Sequence, residues 1–150
     1  MPDLRHVAYC GLYCELCATG GRIPGEARAL RDTMTKEVYE FFGPYIEGFA
    51  PFWEFLKGLS RSSARGPVCR EGCGNPDCAI RKCAVNRGMD LCVSCKDYPC
   101  EHVLALAERY PTLLADGKRL QTVGLEKWIE EQEERAITGF AYADIRHPAR

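Results

Sequence analysis

A mainly α-helical fold, a small helical domain with cysteine-rich metal-binding loops, is what this sequence predicts, and three observations predict it. Apolar residues recur at helical spacing in several windows, and no run of strict alternation is long enough to argue for a sheet of any size. Ten cysteines stand in 150 residues, seven of them between Cys69 and Cys100. Packing alone does not ask for thiols at that density, so they are read as covalent or coordinating groups.

In chain order, the first cysteine group is Cys10, Cys14 and Cys17. The stretch Thr19-Gly20-Gly21-Arg22-Ile23-Pro24-Gly25 follows as a flexible loop; it carries no P-loop or dinucleotide fingerprint. A helix is expected from Glu26 to Phe42, with Gly43-Pro44 ending it. Phe49, Phe52, Trp53, Leu56 and Leu59 form a second amphipathic stripe, with Ser60-Arg61-Ser62-Ser63 as its polar exit. The aromatic run from Tyr39 to Phe55 is therefore read as two core-facing helices rather than as a surface for a ligand or partner, since large exposed aromatic patches are uncommon.

The second cysteine group is Cys69, Cys73, Cys78 and Cys83. Asn75-Pro76 reads as a helix start and Gly88 as its end. On one regular helix Cys78 and Cys83 would point about 140° apart, so they should not face one ion. The third group is Cys92, Cys95 and Cys100. Cys100 and Pro99 sit at the start of a helix whose stripe is Val103, Leu106, Ala107 and Tyr110. The clearest helix is Thr122 to Ile137, with Leu125, Trp128, Ile129, Ala136 and Ile137 as its buried face and Glu131–Arg135 as an i,i+4 pair. The whole is expected to be one domain, 1–150, with at most a small hairpin at a metal turn.

Three fates compete for the thiols. A disulfide framework belongs to oxidising compartments, and Met1 to Tyr9 has neither the apolar run nor the cleavage site of a signal peptide, while no stretch has the ~20 apolar residues of a membrane span. A reduced, cytoplasmic protein follows. Structural zinc suits the pairs Cys14-Glu-Leu-Cys17 and Cys92-Val-Ser-Cys95, because two intervening residues let both sulfurs reach one tetrahedral ion. Cys100 and His102 offer a third thiolate and an imidazole. An iron-sulfur cluster also accepts these ligands. The spacing Cys10-x3-Cys14-x2-Cys17 matches that of radical S-adenosylmethionine enzymes, but the short helical chain lacks their barrel and their Gly-Gly-Glu segment. Zn2+ is preferred, with the cluster as the alternative; which cysteines share an ion stays open.

Net charge is -1, which is unfavourable for a dedicated nucleic-acid binder. From Lys57 to Asp97, however, basic Lys57, Arg61, Arg65, Arg70, Arg81, Lys82, Arg87 and Lys96 outnumber acidic Glu71, Asp77, Asp90 and Asp97. That positive setting stabilises thiolate charge. His6, His102 and His147 are the only histidines, and His102 is better placed as a ligand or surface residue than as a general base, so the chain leans away from catalysis.

Taken together, YCGLYCELC from Tyr9 to Cys17, then CREGCGNPDC, IRKCAVNRGMDLC, VSCKDYPC and the closing VGLEKWIEEQEERAITGFAYADIR, resemble a prokaryotic cysteine-rich domain-of-unknown-function family, family 3795, along nearly the whole chain. The resemblance implies a small cytosolic protein that binds zinc through these cysteines, and it implies no activity. The expectation is a zinc-binding protein with tetrathiolate, or three-thiolate-plus-imidazole, structural sites drawn from Cys10, Cys14, Cys17, Cys69, Cys73, Cys78, Cys83, Cys92, Cys95 and Cys100, acting as a binding or adaptor module for a protein partner. Ten thiols allow two tetrathiolate sites with two left over. The other readings are an iron-sulfur redox protein and a thiol-based redox or metal-delivery protein.

Overall fold

The structure, a computed structural model, describes residues 1–61 and 68–147. Among them the helices are α1 (Arg22–Lys36), α2 (Tyr39–Phe42), α3 (Phe49–Arg61), α4 (Ala79–Asn86), α5 (Glu101–Ala107), α6 (Leu113–Val123) and α7 (Leu125–Ile137), with short 3-10 turns at Cys14–Leu16, Gly43–Tyr45, Cys69–Glu71, Cys92–Ser94 and Tyr142–Asp144. The mainly helical class is as expected. Pairing of β type among the described residues is one isolated antiparallel bridge between Val7 and Tyr13, less than the hairpin allowed for. No helix among them is long and apolar enough to cross a membrane. The chain divides into two compact units: Met1–Cys17 with Pro67–Arg150, and Ala18–Gly66.

The Ala18–Gly66 unit is α1 packed on α3, and its core is Ala27, Phe49, Trp53 and Leu56. Phe49 stacks between Tyr39 and Trp53, with ring centroids 6.4 and 5.4 Å away. The single helix expected from Glu26 to Phe42 is two. α1 starts earlier, at Arg22, so it absorbs most of the expected glycine loop, and it breaks at Val38, which sits in the left-handed region at φ 56°. Ser60, expected in a polar exit, lies inside α3 and is buried; Arg28 Nη1 donates to its carbonyl at 2.8 Å and Arg31 Nη1 to its hydroxyl at 2.9 Å. Ser62 and Ser63 of that expected exit lie outside the described residues. The aromatic run is only half core: Phe41, Tyr45 and Phe55 are 80%, 88% and 68% exposed. Two helices of this length have one buried seam between them, too narrow for every ring.

In the other unit, Trp128, Leu16, Leu113, Val7 and Val103 are the largest fully buried side chains. α7 packs on the Cys14–Leu16 turn and α6 on the Cys92–Ser94 turn. Trp128 Nε1 donates to the Asp116 carbonyl at 3.1 Å, and its ring meets Tyr13 edge to face at 88°. The helix expected from Thr122 is likewise two: Thr122 belongs to α6, Gly124 turns the chain at φ 82°, and α7 starts at Leu125. Because α6 lies beside α7, Glu131 accepts from Arg119 Nε at 3.0 Å, and Arg135 turns to Gln132 and Asp116 instead of Glu131. Ile137, expected in the buried face, is 85% exposed as the last residue of the helix, while Gln132 is buried.

Candidate metal centre

The two C-x2-C pairs fold into the same local shape. In each, an extended residue leads into a one-turn 3-10 helix that starts at the first cysteine, and the main-chain N–H of the second cysteine donates to the carbonyl of the first. Cys17 donates to Cys14 at 3.1 Å and Cys95 to Cys92 at 2.9 Å, with both closing cysteines extended. Leu16 and Val93 inside the turns point into the core. The four cysteines of the two turns are half-buried, and Cys92 itself packs against that core.

Around the second turn, Cys83, Cys92, Cys95 and Cys100 line one cavity of about 30 Å3, together with Arg87, Asp97 and Tyr98. Cys83 comes from α4, Cys92 and Cys95 from the two ends of the turn, and Cys100 from the N-cap of α5. α4 starts at Ala79 with Cys78 as its N-cap, later than expected, because Asn75 caps an earlier turn: its side-chain oxygen accepts the Asp77 N–H at 2.9 Å. Cys78 therefore stays off the cavity wall while Cys83 lines it. The helix ends as expected at Gly88, whose positive φ of 61° lets Gly88 N–H reach Val85 and Met89 N–H reach Ala84, the double closure of a Schellman end. Arg87, the last residue before that turn, donates from Nη1 to Cys95 Sγ at 3.1 Å and from Nη2 to Asp97 at 2.8 Å.

Around the first turn, the Cys14 sulfur accepts from both the thiol and the main-chain N–H of Cys69. The shared thiol proton lowers Cys14 and raises Cys69. Cys17 and Cys73 lie close enough to raise Cys14 by charge. Arg81 holds the loop that carries Cys69 and Cys73, donating to the carbonyls of Cys69 at 3.0 Å, Cys73 at 3.3 Å and Asn75 at 2.6 Å. Burial is the first cause that raises Cys73.

Cys10 sits in the core at 8% exposure, and burial pushes its thiol up to about 12. Burial also pushes Cys92 up to about 11, with Cys100, Cys83, Cys95 and, least, Cys78 adding to it. His102 is exposed on α5 and does not reach the cavity. The basic excess near the thiols proves specific in a way composition does not reveal. Arg87 contacts a sulfur and Arg81 holds a cysteine loop, while Arg70 ties the Leu4 and Val7 carbonyls to that of Asp90, at 2.8, 2.7 and 2.6 Å.

The thiols are thus gathered without being closed: among the described residues, no three His, Cys, Asp or Glu side chains stand in an arrangement that holds a metal ion. The donor chemistry still fits a small thiophilic ion, since four cysteines line one small cavity with a guanidinium beside them. A family model described as Protein of unknown function (DUF3795) matches residues 6–105, which include all ten cysteines and stop short of α6 and α7. Nothing matches among curated proteins or among solved structures.

Proposed function

The chain belongs to the DUF3795 family, and we propose that it is a zinc-binding protein of the reducing cytosol, in which thiolate-held Zn2+ ties the cysteine loops together and the whole serves as a binding or adaptor module for a protein partner. The observation that carries this reading is the cavity of about 30 Å3 walled by four cysteines from three separate segments. Zinc bound there supplies a cross-link and no open coordination position, which favours a structural role over a catalytic one. Such sites contribute on the order of 10 kcal/mol to the folding of small zinc peptides. The adaptor role is supported by the exposed Phe41, Tyr45 and Phe55, a set of rings that the chain leaves in water.

One observation favours a second reading. The Arg87 hydrogen bond to Cys95 Sγ is the kind of contact that sets the potential of an iron-sulfur cluster. Metal content by plasma mass spectrometry, with a visible spectrum, on protein purified without oxygen decides between the two. Zinc in a colourless solution supports the first reading. Iron with inorganic sulfide and a brown colour replaces it with an electron-transfer or cluster role.

A further inference from the structure

We propose that the ten cysteines divide into two separate four-thiol metal sites, one of Cys14, Cys17, Cys69 and Cys73 and one of Cys83, Cys92, Cys95 and Cys100, with Cys10 and Cys78 outside both. The division rests on the zinc reading for the identity of the ion and on geometry for the ligand sets.

Each site is built on one copy of the same device. A C-x2-C turn contributes two thiols, and the rest of the set comes from an element packed beside it. At the second site those are Cys83 from α4 and Cys100 from the start of α5, all four cysteines lining one cavity. At the first site they are Cys69, which starts the Cys69–Glu71 turn, and Cys73, just past its Gly72 cap, with Cys69 already hydrogen-bonded to Cys14 through both its thiol and its main-chain N–H. Loading each site is a balanced exchange: one Zn2+ enters, four thiol protons leave, and four zinc-sulfur bonds form. The product carries two negative charges. Arg87 sits on Cys95 Sγ at the second site, and Arg81 spans the Cys69 and Cys73 carbonyls at the first, so each site has its own guanidinium against that charge.

The two thiols left out differ from the rest in place. Cys10 is a core residue in one cluster with Val7, Ala8, Leu16 and Ile80, where a charged metal-thiolate group would be cut off from solvent. Cys78 caps α4, and its carbonyl accepts the Lys82 N–H at 3.0 Å. His102 is exposed away from the cavity, so the fourth donor of the second site is the Cys83 thiol and not an imidazole.

The test is metal stoichiometry of the full chain loaded with Co2+ as a spectroscopic stand-in for zinc, without oxygen. The wild type should take up about two ions, each with the thiolate charge-transfer bands of four sulfurs. Cys95→Ser and Cys14→Ser should each lose about one ion, their double variant both, while Cys78→Ser and Cys10→Ala keep both ions and the unchanged spectrum. Loss of an ion in Cys78→Ser or Cys10→Ala overturns the division, as does loss of both ions from a single substitution in one set. Where a variant does not fold, cadmium-loaded wild type read by cadmium–proton NMR correlation names the ligands directly, and a correlation to Cys10 or Cys78 is equally fatal. If the wild type instead takes up iron and sulfide, the zinc reading falls while the same variants still test the division by which chromophore each one loses. A wild type that binds no metal ends both.

Discussion

The main-chain N–H of Tyr13 donates to the phenolic oxygen of Tyr142 at 3.0 Å, across 129 positions of chain. Tyr13 immediately precedes the first C-x2-C turn, and Tyr142 lies in the segment after α7, beyond the residues matched by the family. The C-terminal segment thus closes over the back of the cysteine turn. Tyr110 and Phe140 meet the Tyr142 ring edge to face at 86° and 84° and hold it in place.

Tyr142→Phe should therefore destabilise the protein by about 1–3 kcal/mol, because it leaves the buried Tyr13 N–H without its acceptor. Chemical unfolding of the wild type and the variant, read by circular dichroism, checks this. An unchanged midpoint would mean that the hydrogen bond adds nothing.

The same residue gives the stability a pH dependence. Burial raises the Tyr142 phenol above its ordinary value of 10.0, and the Tyr13 phenol is raised in the same way. A group whose folded pKa is raised favours folding fully below its unfolded pKa and loses that contribution above it. Stability should then fall as pH climbs past about 10. Buried Cys10 and Cys92 act in the same sense in metal-free protein from their ordinary 9.0 upward. The discriminating measurement is the difference between wild type and Tyr142→Phe from pH 8 to 11. It should shrink at the alkaline end.

Gly117 lies under Tyr98. A Cβ at position 117 would fall on the phenolic oxygen of Tyr98 and within 3.3 Å of Val93 Cγ1. That hydroxyl is buried with no hydrogen-bond partner among the described residues. Gly117→Ala should cost about 1–2 kcal/mol from overpacking, even after its gain in helix propensity. Tyr98→Phe alone should be neutral or slightly stabilising, and the double variant should recover most of the loss. Thermal denaturation of the three variants tests the coupling; additive effects would count against it.

Val38 is a β-branched residue at φ 56°, ψ 31°, exposed between α1 and α2. Left-handed backbone costs such a residue about 1–2 kcal/mol. Val38→Gly should raise stability by up to about 1 kcal/mol, once glycine's greater freedom in the unfolded chain is subtracted. A lower melting temperature in the variant would mean that the Val38 side chain contributes more than its strain costs.

The two tryptophans report on different cores, Trp53 on the Ala18–Gly66 unit and Trp128 on the unit that carries every cysteine. If zinc ties the cysteine loops, chelation should shift Trp128 emission to the red in a Trp53→Phe variant. In a Trp128→Phe variant, Trp53 emission should change little. The second variant also loses part of the Trp128 packing and its Nε1 hydrogen bond to the Asp116 carbonyl, so its metal-loaded form is the proper reference.

The local elements were legible where a single face decides them. Phe49, Trp53 and Leu56 lie in the core as their spacing predicts, whereas Phe52 of the same stripe is exposed beside Phe55, and Gly88 ends α4 because no side chain opposes its φ. Boundaries failed where tertiary partners intervened. The period from Leu113 to Val123 is weak, so the spacing predicts one helix across Gly124 and pairs Glu131 with Arg135, whereas α6 brings Arg119 to Glu131.

What the sequence by itself determined is helical class, family, the density of thiols and the shape of the two C-x2-C turns, because each follows from residues within one or two helical turns of one another. Only the tertiary structure decided which thiols meet: Cys14 is hydrogen-bonded to Cys69 although residues 18–66 intervene in sequence, and Cys83 joins Cys92, Cys95 and Cys100 while Cys78 does not. The same holds for Arg87 on Cys95, Tyr142 behind Tyr13, and the rings of Phe41 and Tyr45 left in water. These pairings depend on where separate helices come to rest in a shared core, and local spacing holds no information about that.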